Sequence, residues 1–218
     1  PTAQIVDVRW SDGRLVVKIV AQRTVQELTS TVQNADGTVD RHYALVHKRV
    51  VHLFRLSPSG MLELRIASHS SGTRYTEDIS MLRGMVDFLL PQGSFKLVNL
   101  RKAKEYIWAN EAALSKRIRL LNSLMRNDDG IALNGFSISD GGNLSESESA
   151  KQSLNLFRGK DGYCDGLIFG LLPQGDPPMP AKEIRVLLQG MLNEFAIPSK
   201  CSHVEFEHIL DEIRAFNA

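Results

Sequence analysis

Apolar and polar residues alternate along the first third of the chain, which is the pattern of half-buried β-strands. Residues 4–21 alternate on either side of Asp12-Gly13, a dipeptide that favours a tight hairpin turn. Residues 50–68 repeat this pattern around Gly60. The segment between the two hairpins is rich in Thr and Val and contains another Asp-Gly pair, so it predicts either two longer edge strands or a mobile flap. The hairpins together predict one antiparallel sheet.

Helical spacing replaces this alternation after residue 75. Thr76 is suited to cap a helix that continues to about residue 90, where Pro91 follows. From Arg101 to Arg126, apolar residues recur at intervals of three, four and seven, which predicts one uninterrupted helix with a stripe that faces a core. The stripe consists of Ile107, Leu114, Ile118, Leu121 and Met125.

The last third of the chain mixes both patterns. Residues 131–139 and 165–172 are predicted strands, the second of them bounded by glycines. Helices are predicted over residues 180–195 and from Ser202 to the end of the chain, where Glu205 completes a capping box. The chain is therefore expected to close with a pair of helices.

These elements predict an α+β fold: an antiparallel sheet of β-hairpins packed by two central helices, followed by a smaller mixed lobe that ends in a helical pair. One segment stands apart from this plan. Residues 145–149, Ser-Glu-Ser-Glu-Ser, have almost no apolar area to repay ordering, so we expect a mobile loop that is dispensable for folding.

Charge is distributed unevenly although the net charge is only +1. Residues 41–126 contain 15 Lys or Arg against 6 Asp or Glu, whereas residues 127–218 contain 7 against 14. We therefore expect two domains, a basic sheet-plus-helix lobe over residues 1–127 and an acidic mixed lobe over residues 128–218. Such segregation indicates either a surface that binds a polyanion or two lobes that attract each other.

The basic region predicts a face that binds nucleic acid. On the predicted long helix, Arg101, Trp108 and Arg119 fall within about 20° of each other, and cations neutralise phosphates while an indole stacks on an unpaired base. The exposed positions of the predicted hairpins, such as Arg9 and Lys18, are also mostly basic. The alternative is a solvated face with the Trp packed under a neighbouring loop. The predicted nucleic-acid-binding residues are Arg41, Lys48, Arg49, Arg55, Arg65, Arg101, Lys102, Trp108, Lys116, Arg119 and Arg126.

Motifs of metal, cofactor or catalytic sites are missing from the sequence. Cys164 and Cys201 lie far apart without a CxxC spacing, and the chain contains no phosphate loop and no nucleophile elbow. His42, His47 and His52 are five residues apart, which places them on alternating faces of a strand. The sequence therefore predicts no cofactor, no metal site and no catalytic residue.

Three function classes remain open at this level. The sequence favours a non-enzymatic binding module whose partner is DNA or RNA. The first alternative is a protein-interaction or assembly subunit, with another protein or a second copy as partner, and the second is an enzyme whose site the sequence conceals. No apolar run reaches the roughly 18 residues of a membrane span, and no signal peptide is visible, so we expect a soluble intracellular protein, cytoplasmic or nuclear, without a membrane partner.

Overall fold

The structure, a computed structural model, describes residues 3–68, 75–137, 141–189 and 193–218. The chain forms two compact units, Pro1–Lys96 and Leu97–Ala218. Both contain helix and a four-stranded antiparallel sheet, so the chain is a mixed protein with two antiparallel sheets, which is consistent with the predicted α+β class. No helix in these described ranges is long and apolar enough to cross a membrane.

The N-terminal unit is a sheet with strand order β1-β2-β3-β4, followed by one helix. Its elements are β1 Gln4–Ser11, β2 Arg14–Gln33, β3 Val39–Leu56, β4 Leu62–Arg65 and α1 Tyr75–Val86. Both predicted hairpins are therefore confirmed, and the predicted helix after residue 75 is present. The first turn has the expected chemistry, because Asp12 and Gly13 adopt φ values of 52° and 71°.

The segment between the two predicted hairpins consists of long strands and is not a flap. β2 and β3 pair from Leu15↔Leu56 to Gln33↔Val39, and the Asp36-Gly37 turn joins them. The buried side chains that pack α1 against the sheet lie on one side of these strands: Val17, Ile19, Phe54, Leu82 and Val86. The intervening side chains point to the other side of the sheet.

The C-terminal unit has a second sheet, with strand order β6-β5-β7-β8, and helices that share its core. Its elements are α2 Arg101–Ala109, α3 Glu111–Leu114, β5 Ile118–Asn127, β6 Ala132–Phe136, α4 Glu148–Arg158, β7 Gly162–Leu171, β8 Ile184–Leu188 and α5 His203–Phe216. The end of α5 is tied to the start of α2, since Asn217 Oδ1 accepts a hydrogen bond from Ala103 N at 3.1 Å.

Two predicted helices are wrong in this unit. The helix expected over residues 101–126 ends at Ala109, and after the short α3 the chain becomes β5. The helix expected over residues 180–195 contains β8 instead, with residues 190–192 outside the described part of the chain. The final helix is confirmed as α5, and Ser202 and Glu205 form the predicted capping box.

The division between units differs from the predicted domain boundary. Residues 127 and 128 lie at the β5–β6 turn, and β5 pairs with β6 on one side and β7 on the other, so the expected boundary falls inside one sheet. The unit boundary at residues 96 and 97 instead precedes α2. The second lobe is therefore not the smaller one, and the basic block of residues 41–126 is divided between both units.

Candidate nucleic-acid interface

Two of the five predicted cations of the C-terminal unit, Arg119 and Arg126, are paired with carboxylates of the same unit. Arg119 forms an ion pair with Glu183 and donates to Gly141 O at 3.0 Å. Arg126 pairs with Asp165 at 3.2 Å. Part of the positive charge of residues 101–126 is therefore balanced inside the fold, which was one of the two interpretations of the charge asymmetry. Lys102 and Lys116 are exposed.

Trp108 does not form the stacking platform that the sequence suggested. It is 4% exposed, and its Nε1 donates to Asn155 Oδ1 at 2.8 Å. Its indole belongs to the core of the C-terminal unit. Arg101, on the same helix, places its guanidinium carbon 4.1 Å from the ring centroid of Tyr163.

Strand alternation brings four predicted residues of the N-terminal unit to one side of the sheet: Arg41, Arg49, Arg55 and Arg65. We call the side opposite α1 the outer face. Register pairs assign it the side chains of Gln4, Asp7, Arg9, Ser11, Arg14, Val16, Lys18, Val20, Gln22, Thr24, Gln26, Leu28, Thr31, Gln33, Val39, Arg41, Tyr43, Leu45, His47, Arg49, Val51, Leu53, Arg55, Glu63 and Arg65. Seven of these are Lys or Arg and two are carboxylates, so the outer face is basic. Lys48 lies on the opposite side and pairs with Glu27.

The cations near β4 pair with a carboxylate of that strand. Glu63 Oε2 accepts hydrogen bonds from Arg65 Nε at 3.1 Å and Nη2 at 2.6 Å, and Arg55 Nη1 lies 3.7 Å from the same oxygen. Arg55 is only 7% exposed. At the edge of the outer face, Arg9 Nε lies 3.5 Å from Asp7. The cations of β3 that remain exposed on the outer face are therefore Arg41 and Arg49.

The central hairpin extends beyond the rest of the sheet. β1 pairs with β2 only as far as Val20, and β4 pairs with β3 only from Leu53. We call the extension, residues 24–47, the arm. Its ten residues of β2 give a length of about 33 Å at ~3.3 Å per residue. A two-stranded ribbon of this kind is marginally stable alone, and it has the dimensions to enter a nucleic-acid groove.

The outer side of the arm presents apolar and aromatic side chains. Leu28, Tyr43 and Leu45 are 53%, 54% and 70% exposed. Tyr43 follows Arg41 by two residues and therefore lies beside it on the outer face. Tyr43 is not among the residues predicted from the sequence, because the side of the sheet on which it lies depends on β3 continuing through it. At the root of the arm, a depression of about 510 Å³ is lined by Val20, Gln22, His47 and Arg49.

The histidines of this region have separate surroundings. His47 Nδ1 lies 2.9 Å from Thr24 Oγ1 on the outer face, whereas His52 is buried and accepts from Ala67 N at 3.4 Å. Among the described residues, no group of three or more His, Cys, Asp and Glu is placed to hold a metal ion.

No protein-family model matches this chain, and no curated protein matches it either.

Proposed function

We propose that the protein binds nucleic acid through the outer face and the arm of its N-terminal unit. The observation that carries the proposal is the collection of Lys and Arg side chains from all four strands on one side of the sheet, with only two carboxylates among them. On the other side, α1 packs against the part of the sheet outside the arm. Cations at this density attract a polyanion because each phosphate contact releases a condensed counterion.

The order of side chains along β3 favours single strands. Arg41 and Arg49 flank the exposed Tyr43 and Leu45 on the outer face. Arginine donates to phosphate oxygens, and a tyrosine ring stacks on an unpaired base with a contribution of about 1–3 kcal/mol. A duplex hides the faces of its bases from such a ring. We therefore expect tighter binding to single-stranded than to double-stranded oligonucleotides.

The proposal uses fewer residues than the sequence suggested. Trp108 is buried, and Arg119 and Arg126 are paired with Glu183 and Asp165. These three residues are engaged in contacts inside the C-terminal unit, so we do not include them among the proposed nucleic-acid contacts. The proposed contacts are instead Arg41, Arg49 and Tyr43, with Lys18 and Arg9 contributing charge.

Substitution of neighbours on opposite sides of β3 tests the proposal. Arg49→Gln should weaken binding to a single-stranded oligonucleotide by about tenfold or more at low salt, since it removes a charge-assisted hydrogen bond of about 1.5–3 kcal/mol. The slope of log affinity against log salt should also fall by about 0.7, the value for one lost contact to a single strand. Fluorescence anisotropy over a salt series measures both quantities.

Lys48→Gln is the matched control. It removes the same charge one residue away, but Lys48 lies on the other side of the sheet and pairs with Glu27. Its effect should stay below about twofold, because a phosphate on the outer face does not contact it. Equal losses of affinity in both variants would show that only the net charge of the protein matters, and this would contradict the proposal. If no oligonucleotide binds at low salt while light scattering shows a defined oligomer, the assembly class replaces nucleic-acid binding.

A further inference from the structure

A second cationic site lies in the C-terminal unit, apart from the outer face. A depression of about 560 Å³ opens between the first turn of α2, the end of α4 and the start of β7. The side chains that line it include Arg101, Glu105, Asn155, Arg158 and Tyr163. Its volume falls within the range of about 300–1,000 Å³ that is typical of small-molecule sites.

The one carboxylate of this depression is already satisfied by protein donors. Glu105 Oε2 accepts from Arg158 Nε at 2.9 Å and from Nη2 at 2.6 Å, and Oε1 accepts from Cys164 N at 2.7 Å. A guanidinium has five N–H bonds, so Arg158 retains donors beyond those that Glu105 uses. Glu105 thus holds Arg158 in place without consuming its capacity to donate.

The other polar groups are also donors. Arg101 lies over the ring of Tyr163 at 4.1 Å and forms no ion pair among the described residues. A contact with a ring face does not use up N–H donors as a carboxylate would. Asn155 Oδ1 accepts from Trp108 Nε1, which leaves the amide protons of Asn155 for another acceptor.

The charge around the depression is positive. Among the side chains that line it, Arg101 and Arg158 are cationic and Glu105 is the one carboxylate. Lys104, which precedes Glu105 on α2, is buried, and its Nζ donates to the carbonyl oxygen of Asp165. An anionic ligand would balance the net positive charge of the lining.

We propose that this depression binds the phosphate group of a small phosphomonoester. Forked guanidinium donors match phosphate oxygens, and Arg101 and Arg158 supply them from two different helices. The volume exceeds what a phosphate ion needs, so the organic part of the ester occupies the remainder. The inference does not depend on the outer face, since it concerns other residues in the other unit.

Isothermal titration with three probes tests this inference: inorganic phosphate, glycerol phosphate and a nucleoside monophosphate. At least one ester should bind more tightly than inorganic phosphate. Arg101→Gln should weaken that binding about tenfold, because a charge-assisted contact is lost. Arg101→Lys, which keeps the charge without the fork, should fall between this variant and the wild type.

Lys102→Gln provides the control, because it removes a neighbouring exposed charge that does not line the depression. It should change the affinity less than about twofold. Equal losses for Arg101→Gln and Lys102→Gln, or no binding at millimolar concentrations of any probe, would overturn the inference. Tighter binding of inorganic phosphate than of both esters would overturn the assignment to an ester. None of these outcomes depends on the result for Arg49→Gln, so either proposal can be overturned without affecting the other.

Discussion

Leu120→Ala is expected to lower the free energy of unfolding of the C-terminal unit by about 2–5 kcal/mol, since truncation of a buried Leu leaves a cavity as well as losing apolar transfer energy. Leu120 is 2% exposed and lies in β5, an inner strand of the sheet. Denaturant unfolding followed by the fluorescence of the buried Trp108 measures the change. Trp108 belongs to the same hydrophobic core as Leu120.

Leu121→Ala is the control at the next position. Leu121 is only partly buried, so the same truncation should cost about 1 kcal/mol or less. A helix over residues 101–126 would reverse this order, because it places Leu121 in the apolar stripe. A larger loss for Leu121→Ala than for Leu120→Ala would therefore contradict β5 as the structure has it.

The N-terminal sheet could be predicted because local signals agree there. The Asp12-Gly13 turn and the alternation of Val17 and Ile19 with polar residues specify one hairpin without reference to distant residues. The same alternation specified the side of Arg55 and Arg65 once the strand was recognised. What the local pattern left open was the length of β2 and β3, which depends on pairing across the Asp36-Gly37 turn.

The sequence of β5 predicted a helix because the spacing of its apolar residues is irregular for a strand. The register of β5 against β7 shifts between Leu120 and Asn122 and again between Leu124 and Met125. The first shift adds a residue to β5 and interrupts its period of two, so the buried residues Ile118, Leu120, Ser123 and Met125 are not evenly spaced, whereas the second adds a residue to β7. A sequence with spacings of three and four among its apolar residues then resembles a helical stripe.

The acidic Ser-rich segment is anchored more firmly than its composition suggested. Asn143, just before it, accepts hydrogen bonds through Oδ1 from Leu120 N and Ser145 N, both at 3.2 Å. Leu144 is 4% exposed, and Ser147 caps α4. Residues 138–140 lie outside the described ranges. The anchoring residues are three positions in or beside a polar stretch, and composition averages over them.

The candidate sites depend on pairs that are far apart in sequence. Arg119 and Glu183 are 64 residues apart, and Glu105 and Arg158 are 53 apart. No periodicity links such partners, so the sequence could count the charges of residues 101–126 but could not show which of them were neutralised. For the same reason the sequence could not show that Trp108 is buried, because its hydrogen-bond partner Asn155 lies on another helix.

Alkaline pH should destabilise the C-terminal unit through Cys164. Burial raises the pKa of this thiol to about 12, from 9.0, and the nearby carboxylate of Glu105 adds to the shift. Between these two pH values the unfolded chain loses a proton that the folded chain keeps, so stability falls as pH rises. One group contributes about 1.4 kcal/mol per pH unit, or on the order of 4 kcal/mol over the whole window.

The measurement is the difference between the pH profiles of wild type and Cys164→Ala, because other groups titrate in the same range. Lys104 is one of them: burial lowers the pKa of its ammonium, so its contribution to stability rises with pH up to the unfolded value and partly hides that of Cys164. Above pH 9, the free energy of unfolding of Cys164→Ala should fall less steeply with pH than that of the wild type. The difference between the two slopes should make the two profiles diverge further with each pH unit. Cys201→Ala is the control, since Cys201 is only partly buried and its substitution should alter the profile less. Parallel profiles for wild type and Cys164→Ala above pH 9 would show that the buried thiol does not carry this dependence.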